Sequence, residues 1–199
     1  MQRREVGTVA RLQIQPTSLK VGQKPNRVYD PSPLLSVQQA SVSPAGVMAI
    51  LPDGQTVLDV HHLHHPDSRH AGSNGVSIGF TPNYARMRER YSDHLTGGCA
   101  GENILIETSE SITSNDLAQG MLIRCGAGEL WLGSVSIARP CLEFSRYALR
   151  MPQAGRDRTE IKEALQFLDG GTRGFYVTPS NHDGLLTVSI GDRVYLPPV

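Results

Sequence analysis

Cys141 is the residue in this chain best placed to do chemistry. It follows Ala138-Arg139-Pro140 at the end of an alternating apolar run, so its thiol falls where a strand stops and a pocket can begin. The thiolate is the nucleophile and the metal ligand, and a nearby guanidinium favours it; Arg139 stands two residues away. Arg139 would also offer a planar fork to an anion. The plain alternatives are a buried, inert thiol and a solvated cation. Gly101-Glu102-Asn103 forms a second candidate, a Gly-led turn running into the apolar Ile104-Leu105-Ile106. Glycine permits close backbone approach or positive φ. Asn103 can donate and accept together, which suits either recognition of a heterocycle edge or the tying down of a turn. Cys99 lies just before this motif, either within reach of Cys141 as a resolving or disulfide partner or as an unrelated thiol.

His61, His62, His64, His65 and His70 form a conspicuous run with Asp59, Asp67 and Arg69 interleaved. Imidazole and carboxylate are zinc ligands, but no second ligand cluster occurs elsewhere, and strand alternation would send these side chains to opposite faces. The run reads as a polar pocket wall with one histidine facing a ligand. Arg86, Arg88 and Arg90 read as a solvated helix face, and Tyr84, Met87 and Tyr91 as core.

Strands and turns must position these residues. Val6, Thr8, Ala10, Leu12 and Ile14 alternate as a half-buried first strand. Residues 16–33 are polar and rich in Pro and Gly, and read as a long loop covering one end of the fold. Strands are expected at 35–42 and 47–51, and the second forms a hairpin through Asp53-Gly54 with 56–60. Thr81-Pro82 reads as an N-cap with proline at the first helical position, opening a helix that Gly97-Gly98 stops. Strands follow at 103–107, 121–125 and 129–137, the last two joined by Gly126-Ala127-Gly128. A second helix is expected over 157–168, with Ile161, Ala164, Leu165 and Leu168 as its apolar stripe. Residues 174–178 and 185–190 read as a closing hairpin around Asn181-His182-Asp183-Gly184. Strand dominance with inserted helices predicts a mainly β (mixed α/β) fold: a closed or nearly closed β-barrel with a few capping helices.

The order of these segments resembles the MOSC domain, named for the C-terminal domain of molybdenum cofactor sulfurases. The family pattern is Gly-Glu-Asn-(Leu/Ile), a Gly-turn strand pair, Pro-Arg-x-Pro-Cys, then Gly-(Trp/Phe)-Tyr and Gly-Asp. Here it reads Gly101-Glu102-Asn103-Ile104, Leu117-Ala118-Gln119-Gly120, Ala138-Arg139-Pro140-Cys141, Gly174-Phe175-Tyr176-Val177 and Gly191-Asp192-Arg193-Val194. The resemblance implies one MOSC domain over 1–199, with the motif core at about 40–197, and a MOSC-type barrel. It implies a molybdenum-pterin cofactor, with Cys141 as molybdenum ligand or as carrier of sulfur in a persulfide. Gly101, Glu102, Asn103 and Arg139 would contact the cofactor. His65-Pro66-Asp67-Ser68-Arg69 corresponds to a family stretch whose glycines are missing here, which adds His65 and Arg69 to that set.

Two functions are implied. One is molybdenum ion binding and sulfur transfer for metal-sulfur cofactor assembly, with a cysteine desulfurase as partner. The other is a molybdenum-dependent reductase of N-hydroxylated substrates (amidoximes or hydroxylamino-purines), served by a separate electron-transfer reductase. A third reading is a non-catalytic binder of a small anion. The 199 residues leave no room for a pyridoxal-phosphate desulfurase domain, so pyridoxal phosphate is expected only on a partner. The N-terminal barrel extension of amidoxime-reducing members is also lacking.

Charge is balanced, with Lys+Arg 19 against Asp+Glu 19, so the composition carries no footprint for nucleic acid or an anionic membrane. No apolar run reads as a signal peptide or a membrane span. Three cysteines cannot all pair, and free thiols fit a reducing cytoplasm.

Overall fold

The structure, a computed structural model, describes residues 3–151, 158–180 and 185–198. The first strand, β1 (Arg4–Ile14), buries Val6, Val9, Leu12 and Ile14. The segment after it carries a two-residue ladder, β2 (Lys20–Val21) with β3 (Val28–Tyr29), inside what the sequence reads as plain loop. The expected strand at 35–42 is two strands, β4 (Leu35–Val37) and β5 (Gln39–Ser43), which enter different sheets. β6 (Gly46–Ile50) and β7 (Thr56–Leu58) form the expected hairpin.

β8 (Val76–Phe80) has no counterpart in the sequence reading, because Gly72-Ser73-Asn74-Gly75 before it disguises a short buried strand as loop. α1 (Thr81–Tyr91) follows directly. Phe80, not Thr81, is its N-cap; the Thr81 hydroxyl instead donates to the Thr108 carbonyl and accepts from the Thr108 N–H. The helix ends at Ser92, before the glycine pair, yet Leu95 beyond it is fully buried. β9 (Ile104–Glu107), β10 (Met121–Cys125) and β11 (Gly128–Ile137) fall where expected. α2 (Leu142–Ala148) was not anticipated, since seven residues give too short a stripe to register. α3 (Arg158–Leu168) matches its expected span apart from Asp157, which lies outside the described residues.

β12 (Phe175–Pro179), β13 (Leu186–Ser189) and β14 (Arg193–Leu196) close the chain. The expected closing hairpin does not form. β12 pairs with β11 and β8, whereas β13 pairs with β5 in a separate four-stranded sheet, β13-β5-β6-β7. Alternation marks both segments as strands but does not name their partners. The proposed turn, residues 181–184, lies outside the described residues.

The main sheet runs β14-β10-β11-β12-β8-β9-β1 and closes through β14–β1, giving a seven-stranded barrel with β4 added on β1. Every pairing in it is antiparallel except β8–β9, which is parallel and is bridged by α1. Closure removes the sheet edges and encloses one core, including Leu12, Ile78, Ile104, Met121, Leu132 and Phe175. A smaller apolar cluster joins α1, α2 and α3 to the β3 segment through Met87, Leu95, Phe144, Leu168 and Tyr29. Tyr84 and Met87 are buried in it, as the sequence stripe requires. Among the described residues no helix is long and apolar enough to cross a membrane.

Candidate functional site

Segments just after β1 and β11 and just before β9 and β12 converge, with Ser77 and Ile78 of β8 between them. They surround a cavity of about 310 Å³, near the lower end of the range of roughly 300–1,000 Å³ found for small-molecule sites. The β2–β3 segment contributes Lys20, Arg27 and Tyr29 to its wall.

The turn before β9 is built by two glutamines that alternation places on one side of β1's end. Gln13 Nε2 donates to the carbonyls of Gly98 (2.6 Å) and Glu102 (2.8 Å), and Gln15 Nε2 donates to Gly101 O (2.7 Å). Gly101 sits at φ 88°, where a Cβ would come within 2.8 Å of Gln15 Nε2 and 3.0 Å of Leu19 Cδ1. Only glycine fits such a turn without strain. Tyr29 Oη donates to Cys99 O (2.8 Å) and closes the turn from the other side.

Asn103 faces inward. Its Oδ1 accepts from the backbone N–H and hydroxyl of Ser77 (3.0 and 2.9 Å), and its Nδ2 donates to Gln13 O (3.3 Å) and Asp59 Oδ2 (2.9 Å). Its side chain therefore holds β8, β9 and β1 together and does not line the cavity. Asp59 is fully buried and also accepts from Gln15 N (2.7 Å), His61 N (2.8 Å) and His61 Nδ1 (3.0 Å). With Nδ1–H given to this carboxylate, Nε2 is the nitrogen that His61 keeps for other partners. His61, not His65, is the histidine in the cavity wall. His65 donates from Nε2 to Pro16 O (3.1 Å) and accepts the Asp67 N–H at Nδ1 (3.0 Å), pinning the loop to the chain after β1. His62 and His70 likewise accept the backbone N–H two residues on, so much of the histidine run builds turns. Among the described residues no group of three or more His, Cys, Asp or Glu is placed to hold a metal ion.

Glu102 lines the cavity from a buried position. Its Oε2 accepts from Tyr84 Oη (2.8 Å), which in turn accepts from Ala100 N (3.1 Å). Its Oε1 is buried without a partner, against Gly79, where any Cβ would lie 2.7 Å from that oxygen. Burial pushes the Glu102 carboxyl above its ordinary range, and burial with the nearby carboxylate does the same to Tyr84.

Cys141 does not end a strand directly. β11 stops at Ile137, and the half-buried Cys141 is the N-cap of α2, its Sγ accepting from Phe144 N at 3.5 Å. It lines the cavity with the exposed Arg139 and with Arg69, which comes from the loop after β7. Arg173 is the site residue that sequence reasoning missed. Its Nη2 donates to Ala100 O (3.1 Å) and its Nη1 to Arg139 O (3.3 Å), with the guanidinium 5.6 Å from the Phe144 ring centroid. Its Nε is buried without an acceptor. Burial works against the charge of Arg173, but Tyr176, Tyr29 and Cys141 around it hold its pKa above the ordinary value. Its one sequence signal was adjacency to Gly174-Phe175-Tyr176.

Cys99 and Cys125 are buried outside the cavity wall, each with its thiol pushed up to about 12, chiefly by burial. Glu143, the first-turn acid of α2, accepts two bonds from Arg27 (Nε 2.6 Å, Nη2 2.5 Å) and lies 3.9 Å from Lys20 Nζ. Among the described residues the charged groups in the cavity wall are thus five cations, Lys20, Arg27, Arg69, Arg139 and Arg173, with Glu102 as the carboxylate.

No family model matches the sequence, and no curated protein matches it. The fold itself is shared with solved structures. YuaD from Bacillus subtilis superposes with TM-score 0.59 at 14% identity, over 98% of this chain and 97% of that one. YiiM from Escherichia coli gives 0.52 at 13% identity, over 100% of this chain and 71% of that one. YiiM from Geobacillus stearothermophilus gives 0.50 at 14%, over 99% and 76%. The barrel with few helices is therefore an established fold.

Proposed function

We propose that this protein is a MOSC-type module that binds a molybdenum-pterin cofactor or carries sulfur through Cys141. The observation that carries the reading is a half-buried thiol opening on a cavity whose wall holds Arg69, Arg139 and Arg173, besides Lys20 and Arg27, which face Glu143. Such a wall calls for an anion, and the buried, unpartnered Nε–H of Arg173 calls for an acceptor oxygen. A pterin cofactor carries a phosphate, and a soft thiolate suits a soft metal, so the residues present fit the group. Arg69, Arg139 and Arg173 would hold the phosphate and Cys141 the metal. When bound, the group would supply two-electron redox chemistry.

The chain's own contributions are separable. Leu19 before β2 and Tyr29 of β3 form an apolar side of the cavity wall that would help keep water from a bound group. His61, anchored on Asp59, offers Nε2 as the group able to take or give a proton at the wall. For sulfur transfer, the Cys141 thiolate would attack the outer sulfur of a donor persulfide. The donor S–S bond breaks, the donor leaves as a thiolate, and Cys141 keeps the sulfur with no net redox change. The reductase alternative draws on His61, because cleaving an N–O bond to amine and water consumes two protons along with two electrons from a separate donor.

Metal analysis and intact mass on protein made in a cofactor-competent host test the reading. Stoichiometric molybdenum is expected for the cofactor form, and a mass increase of one sulfur without metal for the carrier. Cys141→Ser is expected to lose either load while its thermal midpoint stays within a few degrees, because serine is itself a good N-cap. Normal loading of the serine variant, or absence of both loads in the parent protein, overturns the reading.

A further inference from the structure

We propose that a second cavity, at the C-terminal end of α2, binds a phosphate monoester. This cavity of about 200 Å³ is lined by Arg27, Tyr29, Glu143, Arg146, Tyr147 and Arg150, with Val28 and Met151. It shares Arg27 and Tyr29 with the larger cavity, whereas Cys141 lies at the opposite end of α2. The carboxylate in its wall, Glu143, already accepts both bonds from Arg27, so among the described residues Arg146 and Arg150 face the space without a carboxylate partner.

Arg146 has its Nε buried with no acceptor. Arg150 takes the left-handed backbone conformation at φ 52°, uncommon for a side-chain-bearing residue, and gives its Nε–H to His94 Nδ1 at 3.0 Å. His94 is fixed by its own Nε2–H bond to Tyr147 O (3.1 Å), so it accepts from Arg150 without supplying a compensating charge. Basic residues at a helix C-terminus complement the helix dipole. That accounts for the sign of the charge but not for a donor buried beside a cavity. Tyr147 has its hydroxyl directed to His94 O (3.4 Å) and its ring packed by Phe144, His94 and Tyr29, so it forms a fixed apolar side of the cavity. Two guanidiniums with no carboxylate partner among the described residues match a phosphate dianion better than a carboxylate, because each can bond a separate oxygen.

Calorimetric titration with phenyl phosphate tests the assignment, using Arg173→Gln to weaken the larger cavity. The Arg173→Gln protein is expected to bind about one equivalent, and benzoate to bind it more weakly. Adding Arg146→Gln should weaken phenyl phosphate binding by about tenfold or more, as loss of a charge-assisted bond does. The exposed Arg150→Gln gives a second variant should Arg146→Gln fold poorly, with the same direction expected. If Arg173→Gln protein binds no phenyl phosphate, or binds it unchanged after Arg146→Gln and Arg150→Gln in proteins of unaltered melting midpoint, the second site is refuted. Neither outcome bears on molybdenum or sulfur loading at Cys141.

Discussion

The two walls of the main cavity are built on opposite principles. On one side Asp59, Asn103, Gln13, Gln15 and Ser77 form a buried mesh in which the Asn103 amide and the Asp59 carboxylate are occupied within the protein. On the other, Arg173 and Arg139 bring charge to the wall beside Cys141, and a buried Arg173 donor has no partner. A fully satisfied polar mesh rigidifies; a partly satisfied charged one waits for a ligand. The difference separates the residues that position the wall from those left with capacity for a further partner.

Removing a mesh member should give the largest effect. Asp59→Ala leaves the buried donors of Gln15 and Asn103 unpaired, and a loss of about 3–5 kcal/mol in denaturant unfolding is expected, at roughly 1–3 kcal/mol per orphaned donor with the charge-assisted bonds at the upper end. Arg173→Gln, on the opposite wall, gives up two bonds to the Ala100 and Arg139 carbonyls but also removes an orphaned Nε–H, so a smaller loss of about 1–2 kcal/mol is expected. Similar losses for the two variants would erase the contrast.

Gly101→Ala should cost next most. It places a Cβ in a left-handed conformation and against Gln15 and Leu19, for about 1–3 kcal/mol and a lowered melting midpoint. A neutral result would mean that the turn is not held as tightly as the two glutamines imply.

A smaller and pH-dependent effect is expected at Glu102. Its folded pKa lies above the unfolded value, so the native state binds more protons between the two and stability falls as pH rises through that window. The penalty is fully present above the folded pKa and absent below the unfolded one. Glu102→Gln keeps an acceptor for Tyr84 and should gain stability relative to the parent at neutral pH, with the gain vanishing toward pH 4. A gain independent of pH would show that ionisation is not its source.

The mildest test is alkylation of the native protein at neutral pH. Cys141 should take up one equivalent of iodoacetamide, with Cys99 and Cys125 reacting only after unfolding, because burial holds their thiols up at about 12. Parallel labelling of all three would deny Cys141 its special exposure.

Legibility in the sequence followed how local each signal was. The alternation of β1, the β6–β7 and β10–β11 hairpins, and the stripes of α1 and α3 are local patterns and were readable. β8 was hidden behind glycines, and the partner of β12 is set by barrel closure, which no local pattern encodes. At the site, Cys141, Arg139, Gly101, Glu102 and Arg69 do meet at the cavity. Asn103 was visible as a residue, but its inward direction depends on Asp59, 44 positions away. Arg173 and Arg27 sit in loops without periodicity, and only the folded chain brings them beside Cys141.

The lone parallel pair decides where the Gly101 turn ends up. In an antiparallel hairpin β9 would begin next to Phe80, where β8 finishes. Parallel pairing, with Ile78 opposite Ile104, instead sets the start of β9 beside the start of β8, and Asn103 N donates to Ser77 O at 3.0 Å. The chain must therefore travel back along the barrel wall, and α1 makes that return. Two stretches separated by a whole helix become adjacent walls of one chamber, so a deletion that let β9 reverse its direction would leave a barrel with its Gly101 turn on the wrong rim.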